Sequence, residues 1–257
     1  MPASYAAQCS YQGTLVVPSS IFHGKRVFVF GGYYMPEPTF RYFDINECEW
    51  RHYQFHLINP LCDTAVCMLR EETAIICGGA VFRGFSVDIT TAGCTEICLR
   101  TYEKKQLPDM IVSRAGHAAV RFQGAIIVIG GNMFDPECER LCIDDTHWRE
   151  MATPNRYFRR CSAAVVNDSF LYAVDNNLID PIQWHVELYD GTMWTEVGLS
   201  TPLGERTYCR LVPFEYDGKL AVFDKYDGRI MSFDPITKEL ILVQRVEYTD
   251  IGLIAAV

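Results

Sequence analysis

Gly124-Ala125-Ile126-Ile127-Val128-Ile129-Gly130-Gly131 decides the fold. A short apolar run, rich in β-branched residues, leaves the turn pair Gln123-Gly124 and ends in a double glycine, the pattern of a buried strand with a sharp exit. Related stretches recur four times: Arg26-Val27-Phe28-Val29-Phe30-Gly31-Gly32, Thr73-Ala74-Ile75-Ile76-Cys77-Gly78-Gly79, Phe170-Leu171-Tyr172-Ala173-Val174-Asp175-Asn176 and Lys219-Leu220-Ala221-Val222-Phe223-Asp224. The first glycines, or the residues that replace them, stand at 31, 78, 130, 175 and 224, giving spacings of 47, 52, 45 and 49. A period of that size belongs to a propeller or a solenoid. Asn and Asp tolerate left-handed backbone better than other side-chain-bearing residues, so Asp175-Asn176 and Asp224 are expected to do the glycines' work.

Each unit reads as four short strands. In the third, a first strand His117-Ala118-Ala119-Val120-Arg121-Phe122 turns at Gln123-Gly124 into the second strand, 125–129. A loop, Asn132-Met133-Phe134-Asp135-Pro136, leads to Arg140-Leu141-Cys142-Ile143, a turn at 144–147, and a last strand from Trp148. The outer hairpin has a signature of its own, an aspartate followed by a large residue four to six positions later: Asp44/Trp50, Asp144/Trp148, Asp190/Trp194 and Asp234/Leu240. Aspartate starts a turn by accepting from the backbone ahead of it, and the large residue is placed to pack between neighbouring sheets. The second unit, at 98–107, lacks the tryptophan.

Gly-Gly after an apolar strand, a tryptophan some 17 residues on, then the Pro-containing junction and Arg-led strand at 107–120, resembles the kelch repeat. The resemblance spans about 14–257 and is strongest at 105–175. It implies an all-β, kelch-type β-propeller in which each repeat is one four-stranded blade. Five blades are expected at about 14–59, 60–110, 111–154, 155–201 and 202–247, with a further strand at 248–257. That strand either completes the first blade, whose own inner strand at 14–22 contains Pro18, or opens a sixth blade and leaves an edge for a partner.

The bulk numbers narrow the function. A net charge of -9, from 23 basic and 32 acidic residues, with no Lys/Arg block, disfavours nucleic acid and anionic membrane as partners. The first ten residues carry no secretory signal pattern, and no apolar run is long enough to cross a bilayer. Eleven cysteines, an odd number scattered through strand-like runs, read as small reduced hydrophobes in a cytoplasmic setting. The pairs Cys94/Cys98 and Cys138/Cys142 sit four apart; on a strand that is roughly 13 Å, too far to share a metal or a disulfide. No metal, cofactor or catalytic triad pattern is expected.

Two sets of residues stand out as contacts for a partner. Arg114, Arg160 and Arg206, each 46 residues from the last, lead the innermost strands of blades three, four and five and are expected together at one mouth of the channel, with Arg156, Tyr157, Phe158 and Arg159 on the same rim. Arginine's fork suits carboxylates, so the set is either a subsite for an acidic group or a means of tying blades together through backbone carbonyls. The connections after the second strands add Tyr33, Tyr34, Phe82, Arg83 and Phe134, residue types that anchor interfaces or else plug the blade tops. The resemblance implies a non-enzymatic adaptor or scaffold that binds a protein, an acidic peptide, a ubiquitin-ligase scaffold or a cytoskeletal protein among the options. A propeller enzyme acting on a sugar or small metabolite, and an architectural subunit, are the alternatives.

Overall fold

The computed structural model describes residues 19–30, 40–53, 62–83, 86–132, 137–175, 185–198, 211–224 and 228–246. In chain order its strands are β1 Ser19–His23, β2 Arg26–Phe30, β3 Phe40–Asp44, β4 Glu49–Tyr53, β5 Ala65–Arg70, β6 Thr73–Cys77, β7 Ala80–Arg83, β8 Ser86–Thr90, β9 Cys94–Cys98, β10 Lys104–Leu107, β11 Ala118–Phe122, β12 Ala125–Ile129, β13 Cys138–Cys142, β14 Arg149–Glu150, β15 Cys161–Val166, β16 Phe170–Asp175, β17 His185–Tyr189, β18 Trp194–Gly198, β19 Leu211–Tyr216, β20 Lys219–Asp224, β21 Arg229–Asp234 and β22 Glu239–Arg245. They form five four-stranded antiparallel sheets, each a meander in sequence order, arranged as a five-bladed β-propeller. The second blade runs β5-β6-β9-β10 and carries a separate two-stranded ribbon, β7-β8, between its second and third strands. Residues 81–83, read from sequence as part of a loop, therefore belong to strand β7. The terminal strand at 248–257, and with it the closure question, lies outside the described residues.

The first strands pack side by side around the centre, β1 against β5, β5 against β11, β11 against β15 and β15 against β19. Second strands are buried on both faces over most of their length and are accordingly apolar there; in β12 all five residues are buried. The core lies between blades. Ile127, Ile129, Phe158, Leu171 and Trp194 fill the space between the third and fourth, and Leu69, Ile75, Val128 and Trp148 that between the second and third.

The tryptophans do what their spacing suggests. Trp148 and Trp194 are buried in these clusters, and their indole N–H groups donate to Pro108 O (2.9 Å) and Ala152 O (2.8 Å), fixing each outer hairpin to the chain that enters its blade. Asp44, Asp190 and Asp234 each accept from two backbone N–H groups of their turns. Asp144 departs from the pattern. Its backbone is left-handed (φ 76°) and its carboxylate accepts from Arg70 of the preceding blade.

The double glycine has a definite mechanical role. Gly130 and Gly131 both have positive φ, 70° and 76°, and the chain entering the next blade lies directly on them, with the Gly131 N–H donating to Phe158 O (2.8 Å). A Cβ on Gly131 would stand 2.6 Å from His117 Cβ and 2.8 Å from Ala115 O. Gly78-Gly79 repeats the arrangement one blade earlier, the Gly79 N–H donating to Arg114 O (2.7 Å). The expected replacements behave differently: Asp175 and Asp224 are the last residues of β16 and β20 and do not take up left-handed backbone.

Candidate interaction face

Antiparallel pairing places the start of each first strand beside the end of each second strand, Ala118 opposite Ile129 and Cys161 opposite Asp175. The junctions between blades and the connections after second strands therefore open on one end of the propeller. Of the two sets of residues singled out in the sequence, the described junction residues 156–160 and the β7 residues Phe82 and Arg83 lie toward that end.

The starts of three successive first strands are tied together there. The Gly116 N–H donates to Asp63 O (2.8 Å) and the Cys161 N–H to Gly116 O (2.9 Å). At the double glycines the Gly79 N–H donates to Arg114 O and the Gly131 N–H to Phe158 O, so Phe158, also fully buried, stands where Arg114 stands one blade earlier. The sequence spacing of 46 between Arg114 and Arg160 does not mark equivalent places.

Arg114 is not on the rim. It is fully buried, its Nε and Nη2 donating to Glu139 Oε1 (3.1 and 2.8 Å) and its Nη1 to Gly130 O (2.8 Å) and Glu137 O (2.9 Å). Glu139 also accepts from the N–H groups of Ile111 (2.6 Å) and Val112 (3.2 Å). A guanidinium spent in this way holds a junction in shape and cannot meet a partner's carboxylate; burial removes Arg114 from the contact set. Arg160 reaches across Gly116 to Asp63, Nη2 to Oδ2 at 3.1 Å and Nη1 to Oδ1 at 3.4 Å, bracing the fourth blade against the second. Its side chain is 39% exposed and that of Asp63 8%.

The junction into the fourth blade is built for display. Glu187, wholly buried on β17, accepts from the N–H groups of Asn155 (2.8 Å) and Arg156 (3.1 Å) and from the Asn155 side chain (2.9 Å). Burial pushes the Glu187 carboxyl up, but hydrogen bonds from His185 and Asn155 hold it below its ordinary value. Glu137 accepts from the Phe158 N–H (2.7 Å), and the Phe158 ring is fully buried. With 155, 156 and 158 anchored, Arg156, Tyr157 and Arg159 project outward. Tyr157 is 56% exposed, and Arg156 makes a loose ion pair with Glu196 at 3.6 Å. Arg159 is exposed and has no acidic partner among the described residues.

The β7-β8 ribbon belongs to the same end. Its base is fastened to Cys62 by a reciprocal pair of backbone bonds with Ala80, and Thr90 bonds Ser113 through their hydroxyls (3.0 Å). Ile89 on β8 and Ile111 on the adjoining junction are exposed apolar residues beside it. Phe82 and Arg83 lie on β7, in the ribbon. Arg206, Tyr33, Tyr34 and Phe134 fall outside the described residues. Sequence reasoning missed Asp63, Glu139, Glu187 and Ile111; single carboxylates on strands carry no signal until the junction that they clamp is known.

Beneath the face, His117 sits between the double glycines of blades two and three. Burial, and then the nearby Arg114 charge, push its imidazole down to about 3, and neither ring nitrogen has a hydrogen-bond partner. The cysteine pairs Cys94/Cys98 and Cys138/Cys142 stand at opposite ends of β9 and β13. Among the described residues no group of three or more His, Cys, Asp or Glu side chains is placed to hold a metal, and no helix is long and apolar enough to cross a membrane.

No protein-family model matches this chain, and no curated protein matches it.

Proposed function

We propose that this chain is a kelch-type propeller that works as a non-enzymatic protein-interaction module, docking an acidic segment of a partner protein on the face formed by the blade junctions. One observation carries the reading: Arg156, Tyr157 and Arg159 project from a junction whose backbone is fixed by two buried glutamates. An exposed side chain on a rigid backbone loses less freedom on binding than one on a loose loop, and Tyr and Arg are among the residues enriched at interface hot spots. The acidic balance of the whole chain favours a protein over nucleic acid, since phosphate backbones need a basic footprint much larger than one junction.

A binding role also fits how the buried carboxylates are used. Glu139 and Glu187 are occupied with backbone N–H groups, which is the work of a scaffold. A reducing, cytoplasmic setting is part of the proposal, supported by thiols such as Cys77 and Cys94 that are packed as apolar residues with no exposure. The test is affinity capture with the wild-type chain and with a Tyr157→Ala/Arg159→Ala chain. The proposal expects partners lost from the variant while its melting temperature is unchanged. Capture of the same partners by both chains would move the interaction elsewhere on the molecule.

A further inference from the structure

The outer strand of the fifth blade carries a second surface, independent of the junction face. Outer strands of a propeller present unpaired backbone, and proteins guard such edges with charge or brevity. Four of the five do so here. β4 exposes Glu49 and Arg51, β10 exposes Lys104 and Lys105, β14 is two charged residues long, and β18 exposes Thr195 and Glu196. β22 is the exception. At seven residues it is the longest strand among the described residues, and it exposes Ile241, Leu242 and Val243 in a row. A register shift in its pairing with β21 leaves Val243 unopposed, which breaks the alternation and turns three consecutive apolar residues outward. Among the described residues no strand pairs with the outer edge of β22.

The charges at the two ends of β22 say what fits there. Within the blade, Glu239 lies opposite Asp234 and Arg245 lies opposite Arg229, so both ends face a like charge. A second β22 laid antiparallel along the edge brings its Arg245 end to Glu239 and its Glu239 end to Arg245, while the apolar centres meet. Each end then gains the opposite charge that its own blade denies it. We propose that β22 is a homodimerisation edge, pairing antiparallel with β22 of a second copy about a two-fold axis.

Sedimentation velocity of the full chain tests this, at concentrations up to about 100 µM, a range that reveals dimers of micromolar affinity. The wild type is expected to form dimers. Leu242→Lys, a change at an exposed position, is expected to weaken dimerisation at least tenfold with unchanged circular dichroism and melting. Glu239→Arg alone and Arg245→Glu alone each place like charges together across the two-fold and are also expected to be monomeric. Mixing those two variants restores opposite charges at both ends and is expected to give a heterodimer. A monomeric wild type, a Leu242→Lys chain that still dimerises, or a mixture that stays monomeric would each overturn the proposal.

Discussion

The neutral imidazole of His117 makes a quantitative claim about acid stability. The residue is buried between two double glycines, with its folded value at about 3, against about 6.5 for an unfolded histidine. Between those limits the unfolded chain binds a proton that the folded chain refuses. Stability therefore falls as the pH falls from 6.5, and the loss is complete at about 3. From the two values, the loss between pH 7 and pH 5 comes to about 2 kcal/mol for this one group. The perturbation is His117→Leu, which keeps the volume similar and removes both the titration and two buried nitrogens without partners. Replacing such a group by an apolar one costs little at neutral pH. The assay is equilibrium urea unfolding of both chains at pH 7 and pH 5. Other groups titrate in both proteins, so the quantity of interest is the difference between the two pH losses, expected at about 2 kcal/mol in the wild type's disfavour. Equal losses in the two chains would refute the buried, neutral placement of His117.

Further expectations concern the junctions. Arg114→Ala leaves Glu139 buried without its cation and should cost about 3–5 kcal/mol, whereas Arg159→Ala, at an exposed position on the next junction, should stay within about 0.5 kcal/mol; thermal melts of the pair separate buried clamp from displayed side chain. Gly131→Ala meets both a left-handed φ and the His117 backbone and should cost well over the roughly 1–2 kcal/mol of Gly24→Ala, which has the same backbone sign (φ 62°) and open space around it. Trp148→Ala opens the core between blades two and three and releases the bond to Pro108; a loss of about 3–5 kcal/mol by chemical denaturation is expected, and a loss under about 1 would mean that the indole does not join the two blades.

The repeat was legible because a propeller writes its architecture locally. A second strand is buried on both faces, and its exit must clear the chain entering the next blade, so 125–131 shows both constraints in seven residues. The tryptophans of the third and fourth blades were legible for the same reason: their packing follows from a hairpin of fixed length. The site was harder. Arg114 and Arg159 both lie on blade junctions and look alike in sequence, yet one is buried under hydrogen bonds and the other is exposed. What separates them is a glutamate on a third strand, 25 residues after Arg114, that accepts its guanidinium. Glu187 spends the same acceptor capacity on Asn155, Arg156 and His185 instead. No periodicity marks that choice, because it depends on which strand carboxylate meets which backbone N–H groups at each junction. The β7-β8 ribbon was hidden differently, its first strand reading as part of an aromatic loop.

The claim that the junction face recognises acidic protein segments is tested most directly by selecting a displayed random-peptide library on the wild-type chain and on an Arg156→Ala/Tyr157→Ala/Arg159→Ala chain. The account predicts Asp- and Glu-rich peptides enriched on the wild type, their binding weakened by salt and lost on the triple variant at unchanged melting temperature. The same peptides retained by the triple variant, or no acidic enrichment on the wild type, would contradict it.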